Sequence, residues 1–114
     1  MTTLYGIPNC DTMKKARTWL DQAGVDYRFH NYKKDGLSTE LAEQWLAELG
    51  WEALINKRGT TWRKLSDEQK SGMDNNTALS VMLDNPSIIK RPLLDTGSNK
   101  VLGFKAEQYE SLFK

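Results

Sequence analysis

Thr3-Leu4-Tyr5-Gly6-Ile7-Pro8-Asn9-Cys10-Asp11-Thr12-Met13 changes its pattern at Pro8. Thr3 to Ile7 reads as a short strand closed by Pro8-Asn9. Asp11 to Ala23 reads as a helix, because Met13, Ala16, Leu20 and Ala23 recur at spacings of three and four and Gly24 supplies a stop. Val25, Tyr27 and Phe29 then alternate with Asp26, Arg28 and His30, which predicts a strand with one apolar face. Two strands joined by one helix pair in parallel with a right-handed crossover.

Downstream, Lys33 to Gly36 reads as a polar turn, and Ser38 caps a second helix carrying Leu41, Trp45 and Leu49 and ending at Gly50. Trp51 to Ile55 is one helical turn, and Lys57 to Lys64 reads as a loop. Ser66 with Gln69 forms a capping-box pattern. Asn76 to Leu83 is a further helix, which Pro86 keeps short. Ile88 to Asp95 and Lys100 to Phe104 read as strands around a Thr96-Gly97-Ser98-Asn99 hairpin turn, followed by a helix from Glu107 to Phe113. The first strand pair is parallel and the last antiparallel. The expected fold is therefore α/β, a four-stranded mixed sheet with an inserted helical segment, the element order of the thioredoxin-like fold.

The 114 residues predict a single domain over 1–114. Hydrophobic residues at 39%, charged residues at 27% and eleven aromatics (four Trp, four Tyr, three Phe) argue for a globular chain and against disorder. A formal charge of +1 gives no electrostatic case for nucleic acid or an anionic membrane. Lys33-Lys34, Lys57-Arg58 and Arg63-Lys64 are too sparse to make a nucleic-acid footprint. No apolar run is long enough to span a bilayer, and the start does not read as a secretory signal. One Cys excludes an internal disulfide, and one Cys with one His makes a zinc site improbable. An unpaired thiol without an export signal suits a reducing cytoplasm.

Cys10 carries the chemistry. It stands where the strand ends and the helix begins, so free backbone N–H groups and the positive end of the macrodipole face its sulfur. That placement lowers a thiol below the roughly 8.5 of free cysteine. Thr12 is placed to donate its hydroxyl, Lys14, Lys15 and Arg17 add positive charge, and Asp11 opposes them. Position 13 is Met, so no Cys-x-x-Cys disulfide can close. A redox cycle here needs an external thiol and passes through a mixed disulfide, with glutathione the obvious cytoplasmic candidate. The plainer reading of such a cysteine is an inert core residue, but its neighbours Pro8-Asn9 and Asp11-Thr12 are poor core companions.

Tyr5-Gly6-Ile7-Pro8-Asn9-Cys10-Asp11-Thr12-Met13-Lys14-Lys15-Ala16 resembles the Cys-x-Thr active-site turn of the arsenate reductase (ArsC)-like family. Asn56 to Leu65 resembles that family's arginine-bearing segment, Asn85 to Leu94 its Arg-Pro segment, and Val101-Leu102-Gly103-Phe104 the strand after it. The resemblance implies Cys10 as nucleophile, Arg58 and Arg91 as the cations facing it, and Thr12 and a cis Pro92 at the substrate. It implies no bound cofactor, glutathione or glutaredoxin as the source of reducing thiols, and an oxidised thiol as substrate. No metal is expected, and the chain is expected to be a monomer. Arsenate-reducing members carry a third arginine, whose place falls here at Phe104. The chain is most similar to the YffB-like branch, near the Spx-type regulators, many of which carry a Cys-x-x-Cys switch.

The expected function is that of a glutathione-dependent thiol/disulfide oxidoreductase with one nucleophilic cysteine. Two alternatives stand beside it: a non-catalytic Spx-like regulator of transcription, and a glutathione- or glutaredoxin-dependent arsenate reductase. Without the resemblance, Arg58 and Arg91 read as solvated arginines and His30 as a structural residue of its strand. Trp45, Trp51 and Trp62 read as packing residues.

Overall fold

The computed structural model describes residues 2–8 and 10–113. In chain order the elements are β1 (Thr2–Gly6), α1 (Asp11–Gln22), β2 (Tyr27–Asn31), α2 (Tyr32–Asp35), α3 (Thr39–Leu49), α4 (Trp51–Leu54), α5 (Thr60–Arg63), α6 (Asp67–Ser71), α7 (Asn75–Asp84), a 3-10 turn (Pro86–Ile88), β3 (Leu93–Asp95), β4 (Lys100–Leu102) and α8 (Ala106–Phe113). They fall into two compact units, one up to Asp35 and again from Arg91, the other from Gly36 to Lys90.

The first unit is built on a four-stranded sheet of order β2-β1-β3-β4. β1 runs parallel to β2 and antiparallel to β3, which is antiparallel to β4. The mixed sheet with its βαβ and β-hairpin halves is the thioredoxin-like fold. Register places Phe29, Leu4, Leu94 and Val101 in one row across all four strands. Side chains alternate along a strand, so this row shares a face. Met13, Ala16 and Leu20 from α1 and Tyr109 from α8, all fully buried, close over Leu4 and Leu94. The expected helix face is thus the core face, except that Ala23, at the C-cap, is exposed. The rows of the opposite face are His30-Tyr5-Leu93-Leu102 and Arg28-Thr3-Asp95-Lys100.

In the second unit Ser38 caps α3 by accepting from the Leu41 N–H, and Ser66 with Gln69 completes the capping box of α6. The buried stripe of α3 is Ala42, Trp45 and Leu46 rather than Leu41 and Leu49, which are only half-buried. Ala42 is apolar but small, so the larger Leu41 beside it masked the true stripe. Ile55 and Ile89 pair by a single antiparallel bridge, flanked by Asn56 N–H to Ile88 O and Lys90 N–H to Leu54 O, each 2.8 Å.

Three local expectations are corrected. Lys33 to Gly36 is not a simple turn: Tyr32–Asp35 is a helical turn, in which Asn31 Oδ1 accepts from the Lys33 N–H and Asp35 accepts from the Asn31 N–H. The Lys57–Lys64 stretch contains helix α5, masked by the β-branched Thr60 and Thr61. The strand expected over Ile88–Asp95 shrinks to Leu93–Asp95, because Pro86 opens a 3-10 turn and Pro92 has no N–H to give a ladder. Among the described residues no helix is long and apolar enough to cross a membrane.

Gly6 ends β1 directly beneath the Met13 side chain, and a Cβ there would run into the thioether. Met13 is fully buried and has little room to retreat. Gly6→Ala should therefore destabilise the chain by about 1–3 kcal/mol. In a Met13→Ala background that cost should largely vanish. Urea unfolding of the four variants measures both effects, and a Gly6→Ala cost that is undiminished in the Met13→Ala background would locate the clash elsewhere.

Candidate active site

Cys10 is the N-cap of α1, with extended backbone (φ −131°, ψ 128°) and its carbonyl accepting the first helical hydrogen bond from Lys14 N–H at 3.0 Å. The sulfur is half-buried and packs against the Leu4–Met13–Tyr109 core cluster. Two effects compete for its proton. Burial pushes the thiol up; the Met13 N–H, the Arg91 guanidinium and the Thr12 N–H pull it down, and together they win. The net result is a thiol held below its ordinary value. Its sulfur makes no capping hydrogen bond, so the N–H groups act chiefly on the charged form.

Arg91 supplies the cationic share through both hydrogen bonding and charge. It is half-buried and precedes a cis bond to Pro92, which is itself buried. The Pro92 carbonyl accepts from Gly103 N–H at 2.9 Å, tying this step to the end of β4. Thr12 contributes its backbone N–H, where its hydroxyl had been expected. Arg17 lies over the Phe29 ring at 4.6 Å, so its charge is engaged on the flank of the sheet.

Arg58 lies in the second unit and is exposed. Its backbone N–H donates to Asn56 Oδ1 at 3.1 Å, and the Gly59 N–H donates to the Asn56 carbonyl. Next to it, the Lys57 ammonium stands 4.9 Å from the Trp51 ring centre and 5.7 Å from that of Trp62. Trp51 and Trp62, read as packing residues, thus brace the segment that carries Arg58.

Phe104 falls outside β4, because Gly103 (φ 80°) turns the chain after Leu102. The strand alternation expected for Phe104 and Lys105 therefore does not apply. The Phe104 ring meets Tyr109 edge-on at 4.8 Å and packs against the same core cluster as Cys10.

Sequence reasoning missed Tyr32. It is 4% exposed, and its hydroxyl is pushed up by burial and by Tyr5, against a smaller opposing pull from Arg91. Arg91 thus acts on the thiol and on a neutral phenol alike. His30 stacks on Tyr5 at 4.9 Å and meets Tyr32 edge-on at 5.9 Å, which gives its structural reading a definite partner set. The alternation of β2 ends at Asn31, so no periodic signal reached Tyr32. Among the described residues no group of three or more His, Cys, Asp or Glu could hold a metal ion.

An uncharacterized protein of Haemophilus influenzae is 42% identical over 113 residues, 99% of either chain. A solved YffB protein is 47% identical with a TM-score of 0.95, covering 100% of both chains. A solved arsenate reductase (ArsC) related protein from Brucella melitensis is 50% identical with a TM-score of 0.80, covering 99% of this chain and 94% of that one. More distantly, the global transcriptional regulator Spx of Streptococcus pyogenes is 29% identical over 110 residues, 95% of this chain and 81% of that one. The ArsC family model matches residues 5–112. That match runs from the strand before Cys10 into the last helix, and the chain belongs to the ArsC family.

Proposed function

We propose that the chain is a thiol/disulfide oxidoreductase that uses Cys10 as its only nucleophile and glutathione, directly or through glutaredoxin, as reductant. The observation that carries this reading is a half-buried thiol held down by the Met13 and Thr12 N–H groups and Arg91. A thiolate, not a thiol, attacks sulfur.

The Cys10 thiolate attacks the glutathionyl sulfur of a mixed disulfide R–S–S–G. The Cys10–sulfur bond forms, the bond to the R sulfur breaks, and R–S⁻ leaves and takes a proton from water. A glutathione thiolate then attacks the same glutathionyl sulfur, releasing oxidised glutathione and restoring the Cys10 thiolate. One R–S–S–G and one glutathione thus become one R–SH and one glutathione disulfide. In this reading Arg91 steadies the anions by forked hydrogen bonds, while Thr12 and Pro92 offer backbone groups to the substrate.

Similarity to Spx supports a second reading, a non-catalytic regulator that binds the transcription machinery. Met13, fully buried in the core, stands where a second thiol would be needed for an internal redox switch. Stoichiometric recovery of RNA polymerase with the purified chain, together with absent thiol turnover, would favour the regulator.

Reduction of a glutathionylated peptide should be lost in Cys10→Ser; activity that survives it would refute the mechanism. Arg91→Ala should raise the pH at which Cys10 becomes reactive toward a thiolate probe, slowing the reaction at neutral pH. An unchanged titration curve would remove Arg91 from the site.

Arsenate reduction passes through a covalent adduct with negative charge on several oxygens, and Phe104 offers that charge no hydrogen bond. Lacking one preorganised charge-assisted contact typically costs about 10²–10³ in rate. Arsenate turnover should therefore be weak or undetectable and should rise in Phe104→Arg. Efficient turnover by the unmodified chain, read by coupled glutathione oxidation, would overturn this expectation.

A further inference from the structure

β3 and β4 pair so that Leu93 faces Leu102 and Leu94 faces Val101. One step further along that register, Pro92 stands opposite Gly103. The Gly103 N–H donates to the Pro92 carbonyl at 2.9 Å, so the two form a hydrogen-bonded pair. In such a pair each residue gives its N–H to the other. Pro92 has none to give, which leaves the Gly103 carbonyl without its ladder donor. The Tyr109 hydroxyl, from α8, donates to that carbonyl at 3.5 Å. We propose that Tyr109 replaces the missing N–H of Pro92 and thereby acts as the positioning residue that holds Arg91 at Cys10. The proposal deepens the reading above and rests on its Cys10–Arg91 pair.

Aim is the first argument. Tyr109 is fully buried, and its ring is met edge-on by Trp19 at 5.6 Å and by Phe104 at 4.8 Å. Packing on two sides fixes the direction of the phenol, and a side chain locked in this way places its polar atom closely. Buried tyrosine hydroxyls find a hydrogen-bond partner. Burial also pushes this hydroxyl up, so it keeps its proton and serves as a donor at neutral pH. The bond is long but partly buried, where losing a donor costs an acceptor more than it does in open water.

Connection is the second. Gly103 engages both of its backbone groups, the N–H with Pro92 and the carbonyl with Tyr109. It also turns the chain at φ 80°, and glycine offers little intrinsic resistance to leaving any one conformation. β4 is only three residues long, so this pair is the end of a short ladder, where fraying costs least. Arg91 is the residue that fraying would release, and its guanidinium is the cation that acts on the Cys10 sulfur. A tyrosine outside the site thus secures the step that carries the cation.

Tyr109→Phe removes one oxygen and keeps the ring. Alkylation of Cys10 by iodoacetamide, followed against pH, should show its midpoint raised by about 0.5 unit, an about threefold loss of thiolate below the midpoint. Leu112→Ala, in the same helix and packed on the same core, should lower stability in urea without moving that midpoint. In an Arg91→Ala background Tyr109→Phe should add nothing, because the brace acts through Arg91. A midpoint unmoved by Tyr109→Phe, moved equally by Leu112→Ala, or moved undiminished in the Arg91→Ala background would overturn the proposal. So would a Gly103 N–H that, in the unmodified chain, exchanges with solvent as fast as that of exposed Ser98. None of these readings uses glutathione. Absent turnover of a glutathionylated peptide, with the Tyr109→Phe shift intact, would overturn the glutathione-dependent reading and support the brace. An Arg91→Ala midpoint equal to that of the unmodified chain would instead bring down the Cys10–Arg91 pair, and the brace with it.

Discussion

The close approach of Met13 to Gly6 sets the geometry on which the site depends. A strand residue without Cβ lets the first turn of α1 lie flat against the end of β1. Met13 thereby does two things at once: its side chain is fully buried in the core, and its backbone N–H faces the Cys10 sulfur. The position of the thiol is a by-product of core packing rather than of loop conformation. Sites held by packed elements are more exact than sites left to loops.

From that position the electrostatics of the thiol are a contest of magnitudes. Burial acts against the charged form and is the largest single influence. It is overcome because three separate donors converge on one atom: two N–H groups of a helix N-terminus, equivalent in aggregate to about half a positive charge, and a full guanidinium. Half-burial matters here. A fully buried sulfur would meet a larger desolvation cost, and a fully exposed one would see its donors screened by water. The same guanidinium pulls only weakly on Tyr32, whose burial keeps its hydroxyl protonated, so Arg91 meets one anion rather than two.

How much of this could be read from the residues depended on whether the signal was periodic. Met13, Ala16 and Leu20 spelled out α1 and its buried face, and Ser66 with Gln69 announced α6 through side chains that bond their own backbone. The sheet followed from connection lengths alone. What escaped were elements too short for a period: Thr60–Arg63, Pro86–Ile88 and the turn that buries Tyr32. Phe104 was placed on a strand because nothing in Leu102-Gly103-Phe104 reveals that Gly103 adopts a positive φ. Cys10 was legible because a thiol at a strand-to-helix junction is chemically conspicuous. Arg91 was nameable only through the family pattern, since an isolated arginine says nothing of what it faces.

Met13 in the core also has a consequence for how oxidation registers. A dithiol site can hide its oxidised state inside its own covalent structure, at an effective concentration set by geometry. This sequence has one cysteine, and its neighbour one helical turn away is a buried thioether. Any disulfide of Cys10 must therefore join it to another molecule, making it heavier than the reduced chain by whatever it has captured. Its occupancy follows the abundance of that partner by mass action. The chain would report the composition of the surrounding thiol pool, where a dithiol protein reports chiefly its potential.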